Sequence, residues 1–274
     1  MRKLPVVVAA VSVAALGLVA ACGVQHAAVE REHTNIATAI DHNTLNQALI
    51  PLDQVRAATG RADASELQEV GTLADDIHPS GGAVAGAPDS GGSAELGQAQ
   101  PLPGVTWTPS ECSQMIEAAV LDFTKVDGFT RLFATNQVND FAAGGVRDGL
   151  AANAVLTTPV DNVDFERVRA KIERCKSATV SLDTFGVVGK LTSEEIASPR
   201  VDGVDRIISW RQSVVFDKLP AQAAGLAALF NAEAVYMTKG DIIVWTSHGG
   251  AAGVTAAQLA EPAFRHAMSV LGIK

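Results

Sequence analysis

The chain carries three cysteines, and the surroundings of the first decide what the other two can do. Cys22 follows a leader that reads MRKLPVVVAAVSVAALGLVAA. Arg2 and Lys3 give it a short positive start, and Leu4 to Val19 is apolar apart from Pro5, Ser12 and Gly17. This is the layout of a secretory signal, not of an element of the fold. The apolar stretch falls a little short of the roughly 20 residues of a membrane-crossing helix, and small Ala20 and Ala21 follow it. A chain exported in this way folds where disulfides persist.

Val19-Ala20-Ala21-Cys22 resembles the lipobox of bacterial lipoproteins. The resemblance implies that the Cys22 sulfur, as thiolate the nucleophile of the four residues, receives a diacylglycerol. It also implies that the chain is cut just before Cys22 and that the new amine is acylated, as by palmitate. Residues 1–21 are then a signal peptide. The anchor is lipid on the extracytoplasmic side of the cell membrane, because two or three acyl chains hold stably where one does not. The bland alternative is an ordinary signal followed by a coincidental cysteine. With Cys22 lipidated, Cys112 and Cys175 remain as a pair. A disulfide between them closes a loop of about 60 residues, worth on the order of 4 kcal/mol in the chain-entropy model; the rival is two free buried thiols.

Losing Arg2 and Lys3 from 21 Lys+Arg leaves 19 against 30 Asp+Glu, a formal charge of −11. Such a chain is poorly suited to nucleic acid or to a polybasic grip on anionic lipid. One tyrosine, three tryptophans and nine phenylalanines make the core largely aliphatic. The length suits one domain with a tail, or two small domains.

Residues 22–44 read as a polar, lipidated tether containing His26, His33 and His42. Residues 45–78 read as an N-terminal helical segment: LNQALIPLDQVRAATG places a short helix near Pro51 with Gly60 as its stop. Residues 79–104 are rich in glycine and proline and lack aromatics, which marks a flexible loop or linker. Residues 105–274 form the main domain. There, Thr108 as N-cap, Pro109 and Glu111 signal a helix carrying Cys112, Met115, Ile116, Ala119, Val120 and Phe123 on one face. FTRLFAT and GLAANAVLT read as strands with a turn at Gly144-Gly145. Phe165, Val168, Ile172 and Cys175 share the face of a second helix from about Asn162 to Lys176, so two packed helices could be stapled by the cysteines.

After Cys175 the period shifts toward two. ATVSL, FGVVGKL and RIISWRQSVVF read as strands, residues 221–230 as a short helix, and EAVYMTKGDIIVWTS as a hairpin turning at Lys239-Gly240. A closing helix runs from about Thr255 to Leu271, with Thr255 and Gln258 as a capping box and Pro262 as a kink or break. The order predicts an α+β fold, a mainly antiparallel sheet packed with helices, preceded by a signal peptide and a flexible N-terminal region.

The lipobox, PLDQVRAATG, a cysteine after WTPSE, a helix ending in ERCKSATVSL and late strands before a C-terminal helix resemble one family. It is the PknH-like extracellular sensor-domain group of actinobacterial lipoproteins and receptor kinases. The resemblance covers roughly residues 45–274. It implies helices against an antiparallel sheet, a groove proposed as a ligand site, sensing or binding without established catalysis, and pairing of Cys112 with Cys175. The kinase sensor domain has a second disulfide, for which this sequence has no cysteines, and no kinase portion is present, so a signal would pass through another protein.

Candidate chemistry is sparse. Ser247-His248 in TSHGG is suggestive of a nucleophile and base, but adjacency in sequence does not place a base on an oxygen, and a polar loop after a strand is the simpler reading. His266 reads as solvated on the last helix. No H-x-x-x-H pair offers a metal site. Asp161-Asn162-Val163-Asp164 lacks the glycine and distal glutamate of a calcium loop and reads as a helix start. Ser193-Glu194-Glu195 reads as a solvated turn, and GGAAG lacks the Lys-Ser/Thr of a phosphate loop. Trp107, Trp210 and Trp245 either line an apolar pocket or fill the core.

The expected function is therefore a lipid-anchored extracytoplasmic binding or sensor-like lipoprotein, without catalytic residues, cofactor or metal. Its partners are the membrane, through the lipid on Cys22, and an envelope ligand or protein, with no nucleic acid. An envelope lipid or glycolipid carrier is the alternative, and an envelope hydrolase a further one.

Overall fold

In a computed structural model of the protein, the described residues are 40–72, 105–113, 121, 125–134, 149–183, 185–220, 231–250 and 254–274. The leader with Cys22, most of the tether, the 79–104 linker, the Gly144-Gly145 turn and the 221–230 helix lie outside them.

The described strands are β1 (Ser65–Thr72), β2 (Val105–Thr108), β3 (Asp127–Ala134), β4 (Gly149–Thr157), β5 (Thr179–Leu182), β6 (Val187–Ile196), β7 (Arg206–Phe216), β8 (Ala232–Lys239) and β9 (Ile242–Gly250). They make one sheet in the order β1-β3-β4-β9-β8-β7-β6-β5-β2, and each neighbouring pair is antiparallel. The helices are α1 (His42–Gln47), α2 (Leu52–Thr59), α3 (Phe165–Cys175) and α4 (Ala256–Leu271). The fold is α+β with a mainly antiparallel sheet.

Successive residues of a strand face opposite sides, and residues paired across strands share a side. The central strands are buried on both. On one side Phe129, Val155, Val235, Met237 and Val244 pack with Leu45 of α1, Val55 of α2 and Leu259, Ala263 and Phe264 of α4. On the other, Ala154, Ile208, Trp210, Tyr236 and Trp245 pack with Phe165, Val168 and Ile172 of α3. Burial on both sides explains why β8 and β9 read as nearly continuous apolar runs.

Local chemistry sets the helix ends. The Asp164 carboxylate accepts from the Glu166 and Arg167 N–H groups and caps α3. Thr255 and Gln258 form the expected capping box on α4, which continues through Pro262 unbroken. Gly60 ends α2 at φ +68°, a left-handed turn that suits glycine.

Several expectations need correction. Residues 110–113 form a short 3-10 turn, and Thr108 ends β2 opposite Thr179, so the Thr108 cap with Pro109 in the helix is not formed. Most of the helix expected beyond it lies outside the described residues. The Asn162 start of the second helix moves to Phe165, because a separate 3-10 turn takes Val160–Asn162. Ser193-Glu194-Glu195 lies inside β6, paired with Gln212, Arg211 and Trp210, and not in a turn. TSHGG is not a loop: pairing with β4 and β8 carries β9 to Gly250. α1 begins inside the expected tether, and β1 adds a strand to the segment read as helical.

Candidate functional site

Sheet register places Glu194, Arg211, Glu233 and His248 in one row across β6, β7, β8 and β9, on the side facing α4. Arg211 lies 3.6 Å from Glu194 and 2.7 Å from Glu233. The polar part of the row finishes at His248, which is 3% exposed and pairs onward with Ala151 of β4. Burial pushes its imidazole down to about 4, against the opposing pull of the Glu233 carboxylate. His248 is therefore neutral at neutral pH.

Ser247 faces the other side of the sheet. It pairs with Ala234 and Ala152, whereas His248 pairs with Glu233 and Ala151. The strand period that makes them neighbours in sequence places the sheet backbone between their side chains, so they do not form a nucleophile–base pair. Among the described residues no group of three His, Cys, Asp or Glu is placed to hold a metal ion.

The other described histidines serve the helices. His266 on α4 is tied down and not simply solvated: its Nε2 lies 2.9 Å from the Gln47 carbonyl oxygen, and Gln54 Nε2 lies 3.5 Å from its Nδ1. A carbonyl oxygen only accepts, so Nε2 donates in that contact. His42 Nε2 lies 2.9 Å from an Asp127 carboxylate oxygen, and its ring meets Phe129 edge-on.

The tryptophans divide. Trp107 packs at the Cys112–Cys175 cluster with Leu182, Leu191 and Val214. Trp210 and Trp245 lie together on the α3 side, where Tyr236 stacks on Trp245 at 5.7 Å between ring centroids. Trp210 is 0% exposed and Trp245 8%. Neither indole N–H has a hydrogen-bond partner among the described residues. No sequence spacing groups these two indoles; their shared side follows only from the register of β7, β8 and β9.

Cys112, in the 3-10 turn after β2, is bonded to Cys175, the last residue of α3, with Cα atoms 5.6 Å apart. Lys171, one turn earlier on α3, donates from Nζ to the Glu111 carbonyl at 2.6 Å. Burial, with the nearby charge of Arg174, lowers its ammonium pKa. The sheet edge at β2 and helix α3 are thus joined covalently and by a charged hydrogen bond.

No family model and no curated protein matches the chain. Among solved structures it is similar to the crystal structure of the extracellular domain of PknH from Mycobacterium tuberculosis, at 14% identity and TM-score 0.43, covering 88% of this chain and 99% of that one. It is also similar to the X-ray structure of an uncharacterized protein of Mycobacterium smegmatis, the Rv0999 ortholog, at 12% identity and TM-score 0.40, covering 85% and 97%. Values this low assign no family. Among the described residues no helix is long and apolar enough to cross a membrane.

Proposed function

We propose that the chain is a non-catalytic binding or sensor-like module of the cell envelope, held on the extracytoplasmic side of the membrane by lipid on Cys22. The observation that carries this reading is the Cys112–Cys175 disulfide, since such bonds persist outside the reducing cytoplasm. The leader and the Val19-Ala20-Ala21-Cys22 sequence support the same compartment. The opposed faces of Ser247 and His248 remove the hydrolytic pair that the sequence suggested. A second reading, an envelope lipid carrier, is favoured by the two buried, unpaired indole donors.

Expression of the full chain in a lipoprotein-processing bacterium fed an alkyne fatty acid tests the anchor. The wild type takes up label and partitions into detergent, whereas Cys22→Ser does neither. An unlabelled wild type, or label that persists in Cys22→Ser, contradicts the reading.

A further inference from the structure

We infer that the α3 side of the sheet holds an uncharged, mainly apolar ligand whose ester or ketone oxygens accept from the Trp210 and Trp245 indole N–H groups. This deepens the proposed binding role and rests on it.

An indole nitrogen only donates, and folded proteins satisfy nearly all buried donors. Two such donors on one sheet face, buried and without a protein partner, call for acceptor oxygens that the described residues do not provide. Register places them one row apart. Trp210 shares a row with Ala234, Ser247 and Ala152; Trp245 shares the next with Tyr236 and Ala154. The row beyond Trp210 continues in Ala232 and Gly249. Beside the indoles the sheet carries the small side chains Ala234, Ser247, Ala152 and Ala154, with Ile208 and Gln212 at the β7 positions of the flanking rows. Ser193 lies in that third row, opposite Gln212, and its buried hydroxyl also lacks a partner. Ser209, likewise without one, faces the other side and plays no part.

The charge pattern selects an uncharged ligand. At the rim, Glu195 is held by Arg169, and Arg206 sits over the Phe165 ring while donating to the Val163 carbonyl. An anion would meet two neutral indole donors, the buried Lys171 ammonium of α3 being given to the Glu111 carbonyl, and burying an uncompensated charge is costly. Phe165, Val168, Ile172 and Leu121 favour an apolar body.

The test uses the mature chain, residues 22–274 with Cys22→Ser, labelled with nitrogen-15. The probe is monocaprin, a ten-carbon acyl glycerol ester, below its aggregation limit, with decane and decanoate as controls. The indole resonances of Trp210 and Trp245 move downfield with monocaprin while that of Trp107 does not. Decane produces no downfield shift, and decanoate binds at least about tenfold more weakly. Trp210→Phe and Trp245→Phe each weaken monocaprin binding about tenfold, as loss of one hydrogen bond would. Should either variant fail to fold, the wild-type shifts decide. Unmoved Trp210 and Trp245 resonances overturn the inference. So do water cross-peaks at both indoles that monocaprin leaves unchanged, meaning buried water only, or folded Phe variants that bind like the parent. Such failure leaves the Cys22 labelling result intact, so the two claims fall separately.

Discussion

The side chain of Asn153 holds the turn at Ile50 onto the sheet. Its Oδ1 accepts from the Ile50 N–H at 2.8 Å, and its Nδ2 donates to the Trp245 carbonyl at 3.0 Å. Asn153 is 0% exposed, and Ile50 lies between α1 and α2, so one amide joins the helical layer to both β4 and β9. Asn153→Ala leaves a buried donor and acceptor behind and is expected to cost about 3 kcal/mol in denaturant unfolding. Asn153→Asp keeps the acceptor but turns a carboxylate oxygen toward the Trp245 carbonyl. It is expected to be more destabilising at neutral pH than at pH 4. A loss below about 1 kcal/mol for Asn153→Ala would show that the turn is held by other contacts.

His248 gives the stability a pH dependence of known sign. Its folded pKa, about 4, lies below the ordinary 6.5. The unfolded chain therefore binds the proton first, and the stability linked to neutral His248 is complete above pH 6.5 and lost as pH falls toward 4. The full swing is about 3 kcal/mol. In unfolding curves taken between pH 7 and pH 4, His248→Gln is expected to lose less stability than the wild type. Parallel curves for the two proteins would contradict the assignment.

The disulfide between Cys112 and Cys175 spans 63 residues. The chain-entropy cost of that loop sets its contribution at about 4 kcal/mol. Cys112→Ala with Cys175→Ala is expected to unfold at markedly lower denaturant than the wild type. The difference should vanish when both proteins are reduced, apart from the small packing change. Equal midpoints under oxidising conditions would mean that the bond adds nothing.

Gly128, in β3, is required by geometry. Its φ is +149°, and an added Cβ would run into the Val155 carbonyl oxygen and come within 2.8 Å of the Leu156 Cα across the ladder. Neither obstacle is a flexible side-chain end. Gly128→Ala is expected to destabilise by about 3 kcal/mol in the same denaturant assay. Gly60→Ala, with open space around its Cβ and only the φ of +68° against it, should cost about 1 kcal/mol.

The central strands were legible because the sequence there answers to one requirement at a time. GLAANAVLT and RIISWRQSVVF coincide with β4 and β7, and the Lys239-Gly240 turn lies at the β8–β9 connection. The edges were not legible. β2 is four residues long, β1 is largely polar, and α1 buries only Leu45, so none carries the apolar period that marks an element. The site was least legible of all. Ser247 beside His248 looks like chemistry in one dimension and is separated by the sheet in three. The Trp210 and Trp245 indoles are 35 positions apart and meet on one face only through the pairing of three strands. Strand period is written locally, whereas register depends on turns and on distant partners.

A disulfide-stapled module anchored at Cys22 has a distinctive intact mass. The protein is extracted with detergent from its own envelope and measured without reducing agent. The protein is expected to begin at Cys22, to carry acyl and glyceride mass on that residue, and to be two hydrogens lighter than the reduced polypeptide. A chain that begins elsewhere without lipid would contradict the anchor, and a fully reduced mass would contradict the staple.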